Sequence, residues 1–182
     1  MKRLAYNELL EWKNKADRKP LIMNGARQVG KTWLLKEFGA NEYSNIAYIN
    51  CDEIDEMKNA FSDFNIERLV RTFSILAGVT IKPGETLIIL DEIQQVPIAI
   101  TALKYFCENA PEYHIAVAGS LLGIGLHDGT GFPVGKVDEL RLYPMNFREF
   151  LLAMGEDKLF EYSSKSDYEK INELSFSLKN FI

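Results

Sequence analysis

Two glycines, a lysine and a threonine near the start of the chain have the spacing of a phosphate-binding loop. Gly25 is followed by four residues and then by Gly30, Lys31 and Thr32. Because glycine has no Cβ, both glycines allow backbone N–H groups to approach an anion closely, and the N-terminal end of a following helix adds positive charge. In such a loop Lys31 would reach the β and γ phosphates, and the Thr32 hydroxyl would bind the Mg²⁺ that bridges them. The spacing therefore predicts a site for a nucleoside triphosphate and Mg²⁺.

The residues on either side of the loop predict the strand and the helix that this motif requires. Leu21, Ile22 and Met23 form an apolar run before the loop, which is typical of a buried strand. A helix after Lys31 is indicated by Trp33, Leu34, Leu35 and Phe38. The residues predicted to bind the nucleotide are Gly25, Ala26, Arg27, Gln28, Val29, Gly30, Lys31, Thr32 and Trp33.

A pair of carboxylates ends a second apolar run. Four apolar residues, 87–90, precede Asp91 and Glu92. Buried carboxylates are costly unless a cation or hydrogen bonds receive them, and ligands bind at the carboxyl edge of an open α/β sheet. We therefore predict that Asp91 and Thr32 hold Mg²⁺, while Glu92 acts with Lys31 in catalysis by orienting and polarising a water. The predicted chemistry is hydrolysis rather than binding alone.

Ser120 is a third candidate catalytic residue, predicted from its order in the chain. It follows the apolar run 115–118 and Gly119, in the strand after the acidic pair, where many P-loop ATPases place a sensor of the γ-phosphate. A Gly-Ser turn at the end of a strand is the alternative interpretation. Five glycines between Gly123 and Gly135 then predict a mobile loop, in which His127 is interpreted as a loop residue.

The order of apolar runs and helical patterns indicates an α/β fold with a parallel sheet. The predicted strands are Leu21–Met23, Ile46–Ile49, Leu87–Leu90, Ile115–Ala118 and Lys136–Leu142. The predicted helices are Tyr6–Ala16, one that begins at Lys31, Ile66–Ala77 after an Asn65 cap, and Ala99–Ala110. We interpret residues 1–182 as one nucleotide-binding core with an N-terminal helix in 1–20 and a helical segment in 143–182.

Two apolar helical faces are predicted in the C-terminal segment. The first, after an Asn146 cap, consists of Phe147, Phe150, Leu151 and Met154. The second consists of Tyr168, Ile171, Leu174, Leu178, Phe181 and Ile182. Because the second face would leave an apolar stripe uncovered, we expect it to continue into a lid or further domain, or to meet a protein partner.

Asn14, Lys15 and Asp17 match the N-K-x-D pattern with which GTP-binding proteins recognise guanine. In those proteins the motif closes a buried apolar strand, whereas here it lies in a charged segment just before the phosphate loop. No D-x-x-G pattern follows the acidic strand. A permuted GTPase is therefore a minor alternative.

The composition is that of a soluble globular protein, with 182 residues of which 47% are hydrophobic and 26% are charged. The net charge of −5 does not indicate nucleic-acid binding, although a local basic patch is compatible with it. No apolar run approaches the roughly 18 residues that span a bilayer, so we expect a cytoplasmic protein without a membrane partner. Cys51 and Cys107 have no metal or redox spacing and are expected to be free thiols.

Taken together, these segments resemble the nucleotide-binding core of the prokaryotic AAA+ ATPases whose longer members carry a poorly characterised C-terminal domain. The matching segments are Asn24–Leu35, Leu87–Gln94, Ala116–Leu122 and Leu142–Leu151. The resemblance implies ATP and Mg²⁺ as ligands, and a three-layer fold with a five-stranded parallel sheet flanked by helices. It also implies roles for Lys31, Thr32, Asp91, Glu92 and Ser120 in ATP hydrolysis.

The resemblance leaves part of the family's machinery unassigned. Such enzymes add a lid with a second sensor arginine and receive an arginine finger from a neighbouring subunit, and neither is identified at Arg141 or Arg148. A homo-oligomer is thus an expectation of the family alone. An ATPase that drives an attached domain is the leading hypothesis. An ATP-dependent binding module with little turnover and a small-molecule kinase are the alternatives.

Overall fold

The computed structural model describes residues 3–52, 60–61, 63–120 and 132–163 of the chain. These residues divide between two compact units. The larger runs from Ala5 to Tyr143, and the smaller combines residues 3–4 with residues 144–163. Residues 123–131 of the predicted loop Gly123–Gly135, and the predicted apolar face at 168–182, lie outside the described residues.

A five-stranded sheet forms the centre of the larger unit. Its strands are β1 (Leu21–Gly25), β2 (Asn45–Asn50), β3 (Thr86–Asp91), β4 (His114–Gly119) and β5 (Asp138–Leu142). The order across the sheet is β2-β3-β4-β1-β5, and every pairing is parallel. The predicted five-stranded parallel sheet is therefore confirmed, and all five strands end at the same edge.

Helices cover both faces of this sheet. In the larger unit they are α1 (Ala5–Asn14), α2 (Lys31–Glu42), α3 (Ile66–Ala77) and α4 (Pro97–Asn109). One face packs against α3 and α4 through buried aromatic residues, among them Phe73 and Phe106. The other face packs against α1 and α2 through Trp12 and Phe38. Every residue of β3 and β4 is buried, which explains why both strands are continuous apolar runs in the sequence.

The ends of the elements follow local signals, with two differences from the prediction. The Asn65 side chain caps α3 by accepting a hydrogen bond from the Arg68 N–H, as the sequence indicates. Helix α1 ends at Asn14 and not at Ala16 as predicted, and Ala16 is exposed beyond it. Strand β5 begins at Asp138, two residues after the predicted start. None of the described helices has the length and hydropathy to cross a bilayer.

The smaller unit contains α5 (Phe147–Ala153) and α6 (Asp157–Ser163). Asn146 and Glu149 form a capping box at the start of α5, which confirms the predicted cap. Glu149 also accepts hydrogen bonds from Arg3 Nε at 3.0 Å and from Leu4 N at 2.9 Å, so it joins the N-terminal residues to α5.

The predicted apolar face of α5 is only partly packed. Leu151 is buried and lies in a small cluster with Leu159. Phe147, Phe150 and Met154 are 49%, 50% and 58% exposed, so most of this predicted apolar face is not covered by the described part of the chain.

Candidate functional site

The loop of residues 26–30 connects the end of β1 to the start of α2 at the carboxyl edge of the sheet. Gly30 has φ 93° and immediately precedes α2, so a left-handed conformation explains the glycine at this position. Gln28 also has a positive φ, of 63°.

Gly25 is explained by packing. A Cβ on Gly25 would lie 2.3 Å from the carbonyl oxygen of Leu142, its partner in β5. From the sequence, we explained both glycines by the close approach of an anion. At Gly25 the neighbouring strand β5 gives a second reason, because it leaves no space for a side chain.

Lys31 is buried at the first position of α2. Its Nζ donates hydrogen bonds to the carbonyl oxygens of Gly25 at 2.9 Å and Ala26 at 2.7 Å. Burial lowers the pKa of Lys31, and the nearby carboxylates of Glu92 and Asp91 oppose that shift. The ammonium therefore lies inside the loop, between its first carbonyls and the acidic pair of β3.

Thr32 and Asp91, which were both predicted to hold Mg²⁺, are in direct contact. The Thr32 hydroxyl donates to Asp91 Oδ2 at 2.6 Å, although 59 residues separate the two in the sequence. Asp91 is 5% exposed, at the last position of β3. Because the hydroxyl proton is directed to the carboxylate, the lone pairs of the Thr32 oxygen remain available to a cation.

Asp91 receives two further hydrogen bonds. The backbone N–H of Glu92 donates to Oδ1 at 3.0 Å, and the hydroxyl of Tyr48 donates to Oδ2 at 3.1 Å. Donors on both oxygens satisfy this buried carboxylate and hold it in one orientation. Tyr48 was missed by the sequence reasoning because an aromatic residue in a strand looks like part of the core.

Glu92 follows β3 in a left-handed conformation, with φ 50°. It caps a short 3₁₀ helix, Ile93–Gln95, and its Oε2 accepts a hydrogen bond from Gln94 Nε2. The Gln94 Oε1 atom is buried and has no hydrogen-bond partner among the described residues. A non-glycine residue with positive φ at the end of the acidic strand is uncommon, and such backbone strain is concentrated at functional sites.

Ser120 and Trp33 lie at the periphery of this arrangement. Ser120 follows β4, and its Oγ is 3.5 Å from Arg27 Nε of the loop, which is too long for a strong hydrogen bond. Trp33 is 37% exposed on the first turn of α2. The sheet therefore brings Ser120 beside the loop, whereas Trp33 projects away from the core.

The described residues offer few oxygen ligands for a metal ion. In the described part of the chain, no group of three or more His, Cys, Asp and Glu residues could hold a metal ion. Thr32 and Asp91 together offer a hydroxyl and a carboxylate, the hard oxygen donors that Mg²⁺ prefers, and Mg²⁺ commonly uses one or two protein ligands with phosphates and water. The donor set fits a Mg²⁺ ion that is shared with a phosphate.

The N-K-x-D segment lies away from the phosphate loop. Lys15 Nζ contacts Asp138 Oδ1 at 2.8 Å, and Asp138 is the first residue of β5, at the opposite edge of the sheet. A cavity of about 360 Å³ there is lined by Lys15 together with four carboxylates, those of Glu8, Glu11, Asp138 and Glu139. The segment therefore lies at the amino end of β5, whereas the phosphate loop follows the carboxyl end of β1, and this placement does not favour contact with the base of a nucleotide bound at the loop.

Comparison with known proteins identifies the family. A family model described as an AAA domain matches residues 17–151, which include the glycine loop, the acidic pair and Ser120. A comparison with curated proteins finds no match.

Two solved structures have a similar fold. The Walker-type ATPase PABY2304 of Pyrococcus abyssi is 19% identical with a TM-score of 0.53, and the match covers 98% of this chain and 62% of that chain. The AMPPCP-bound DnaA from Aquifex aeolicus is 14% identical with a TM-score of 0.50, and the match covers 97% of this chain and 60% of that chain. The chain therefore spans about three fifths of the length of these structures. Since the family match extends over most of the sequence, the chain belongs to the AAA domain family and contains an AAA+ P-loop ATPase core.

Proposed function

We propose that this chain binds ATP with Mg²⁺ and hydrolyses it at the carboxyl edge of the sheet. The observation that carries the proposal is the 2.6 Å hydrogen bond from Thr32 Oγ1 to Asp91 Oδ2. It joins the loop with phosphate-binding spacing to the acidic strand. AMPPCP is an ATP analogue, and its presence in a DnaA of similar fold supports ATP as the nucleotide here.

The loop residues would hold the phosphates. Residues 26–30 supply backbone N–H groups at the N-terminal end of α2, where the helix dipole favours negative charge. Lys31 is assigned to the β and γ phosphates, because its ammonium already lies inside the loop and a charged donor to phosphate is stronger than one to a carbonyl. Gly25 contributes indirectly, because the absence of a side chain allows β1 to pack closely against β5.

Thr32 and Asp91 would hold Mg²⁺. Bound Mg²⁺ supplies positive charge that neutralises the phosphate oxygens as the terminal phosphate is transferred. Thr32 would offer its oxygen lone pairs while its hydroxyl still donates to Asp91, and Asp91 would contribute negative charge, either through a bound water or as a direct oxygen ligand. Asp91 is therefore assigned to metal binding rather than to proton transfer.

Glu92 is assigned to the water, and Ser120 to the terminal phosphate. Glu92 is half-buried at the same sheet edge as Lys31 and is the remaining carboxylate of the acidic pair. As a general base it would take a proton from the attacking water, an effect worth about 10²- to 10⁴-fold in rate. Ser120 follows the strand next to β3 and offers a hydroxyl to the same region.

A module that binds ATP with little turnover is the second candidate. It is favoured by the hydrogen bond from Gln94 Nε2 to Glu92 Oε2, because the amide occupies a carboxylate oxygen that a general base would offer to the attacking water. In that case ATP would order a partner surface, and hydrolysis would be incidental.

Coupling to another domain is part of the proposal. Strand β5 ends at Leu142, opposite Gly25, and the smaller unit resumes two residues later in the chain. A movement of the loop would therefore occur next to β5, the strand that leads into the smaller unit. We propose the smaller unit, a further domain or a protein as the responding partner.

A cytoplasmic location is also proposed. Both cysteines are free, as is usual in a reducing compartment. Burial raises the pKa of the Cys51 thiol to about 12, with Asp91 adding to the shift, so this thiol is unreactive at neutral pH.

The test is phosphate release by the parent protein and by Glu92→Gln, with ATP and with GTP at saturating Mg²⁺. We expect ATP to be preferred, and the variant to bind ATP normally while releasing phosphate at least about 100-fold more slowly. The matched control is Glu85→Gln, since Glu85 is exposed at the opposite end of β3. If Glu92→Gln releases phosphate as fast as the parent does, Glu92 is not the base and the binding module becomes the better description.

A further inference from the structure

Tyr48 is placed against Asp91 by the register of the sheet. Strands β2 and β3 are parallel, with Tyr48 opposite Ile89 and Asn50 opposite Asp91. Residues two apart in a strand share a face, so Tyr48 and Asp91 lie on the same side of the sheet. That side is covered by α2, and the Tyr48 ring packs partly buried against its core. Its hydroxyl reaches Asp91 Oδ2 at 3.1 Å.

Helix α2 contacts this tyrosine as well. Lys36 Nζ lies 3.3 Å from the centroid of the Tyr48 ring. Lys36 is one helical turn after Thr32, so the same side of α2 supplies the hydroxyl on Asp91 and the cation on the ring. A cation above an aromatic ring is attracted to the face of the ring, so Lys36 helps to hold the Tyr48 ring in place.

We propose that Tyr48 is a positioning residue that fixes the Asp91 carboxylate for Mg²⁺, an inference that rests on the proposed function. A carboxylate can rotate about its Cβ–Cγ bond unless donors hold both oxygens. Oδ1 is held by the Glu92 N–H, and Oδ2 by the hydroxyls of Thr32 and Tyr48. Tyr48 belongs to the sheet, so its hold on Oδ2 does not depend on the position of the loop.

The alternative is that Tyr48 is a core residue whose hydroxyl is incidental. A phenylalanine would fill the same volume and keep the ring under Lys36, so Tyr48→Phe separates the two roles. Partners in the second layer of a metal site typically contribute about 10- to 100-fold in metal affinity. Because Thr32 remains on Oδ2 in the variant, we expect the lower end of this range.

The experiment measures the dissociation constant of a fluorescent ATP analogue in Mg²⁺ and in EDTA, for the full chain and its variants. In Tyr48→Phe we expect the gain in affinity from Mg²⁺ to fall about tenfold, with the affinity in EDTA unchanged within about twofold. The matched control is Tyr6→Phe, which removes a hydroxyl that donates to Glu42 at 3.2 Å, at the other end of α2. It should leave both affinities unchanged.

A double-mutant cycle with Asp91→Asn tests whether Tyr48 acts through Asp91. In the Asp91→Asn background, Tyr48→Phe should change the Mg²⁺ effect by less than about twofold. An undiminished Mg²⁺ effect in Tyr48→Phe, or an equal loss of affinity in Mg²⁺ and in EDTA, would overturn the inference alone. A parent protein whose ATP affinity ignores Mg²⁺ would overturn the proposed function, and the inference with it.

Discussion

Replacing Gly25 with alanine would put a methyl group against the backbone of the neighbouring strand. The new Cβ would lie 2.3 Å from the Leu142 carbonyl oxygen, 3.3 Å from the Leu142 carbonyl carbon and 3.2 Å from Val29 Cγ2. Ordinary contacts between carbon and oxygen begin at about 3.3 Å, so the two strands would have to separate by about 1 Å at this point. Gly25 does not have a positive φ, and the effect therefore comes from lack of space rather than from backbone strain.

The destabilisation expected for Gly25→Ala depends on which atoms must move to make room for the methyl group. The obstructing atom belongs to the backbone and is held in the ladder between β1 and β5, so a change of rotamer cannot relieve the clash. Overpacking costs typically about 1–3 kcal/mol, and a fixed backbone atom places this case at about 3 kcal/mol. For a chain of this size that corresponds to a fall of roughly 6–12 °C in the unfolding midpoint.

The assay is thermal unfolding without nucleotide, followed by ATP titration of the folded variant. The control is Gly78→Ala, because Gly78 has φ 66° and no atom within 4 Å of the added Cβ, so it carries strain without a clash. We expect the control to lose about 1 kcal/mol and to keep the parent's ATP affinity. If Gly25→Ala unfolds at the same temperature as the parent protein, the packing argument is wrong. Gly25 would then be needed only to let a phosphate approach the backbone.

Two further predictions concern buried charge and pH. Glu149→Ala removes the carboxylate from the buried pair with Arg3 and should cost about 3 kcal/mol in urea unfolding. Burial would raise the pKa of Glu149, but hydrogen bonds from Leu4, Arg3 and Asn146 hold it below its ordinary value of 4.5. The stabilisation from Glu149 is therefore present above pH 4.5 and is lost as the pH falls through the lowered pKa. If the free energy of unfolding of Glu149→Ala falls with acid as steeply as that of the parent protein, this expectation is wrong. Burial, helped by the charges of Arg18 and Lys13, lowers the pKa of His114 from 6.5 to about 4. The folded protein should accordingly lose up to about 3 kcal/mol as the pH falls from 6.5 to about 4. His114→Gln should flatten that slope, and an equal slope in the variant would show that another group titrates.

Much of the fold could be predicted because local and long-range signals agree. The continuous apolar runs of β3 and β4 are buried on both faces, and Asn65 caps α3 through its own side chain. The spacing of Gly30, Lys31 and Thr32 predicts a tight turn into a helix, which requires no knowledge of the rest of the chain. Parallel strands then bring Asp91 to the same edge.

The contacts that depend on neighbouring strands could not be predicted. Tyr48 meets Asp91 only because β2 and β3 pair in one register, and a strand pattern does not reveal that register. The clash that explains Gly25 involves β5, which lies more than a hundred residues later. The exposure of Phe147 and Phe150 could not be predicted either, because helical periodicity indicates an apolar face without showing what covers it.

The affinity of ATP for the parent protein and for Lys31→Ala, measured by calorimetry at saturating Mg²⁺, tests the central claim most directly. Lys82→Ala is the matched control, since Lys82 is exposed in the turn before β3. Loss of a charged donor to phosphate predicts at least about tenfold weaker binding in Lys31→Ala, and a change within about twofold in the control. Equal ATP affinity in Lys31→Ala and in the parent protein would contradict the assignment of this loop as the ATP site.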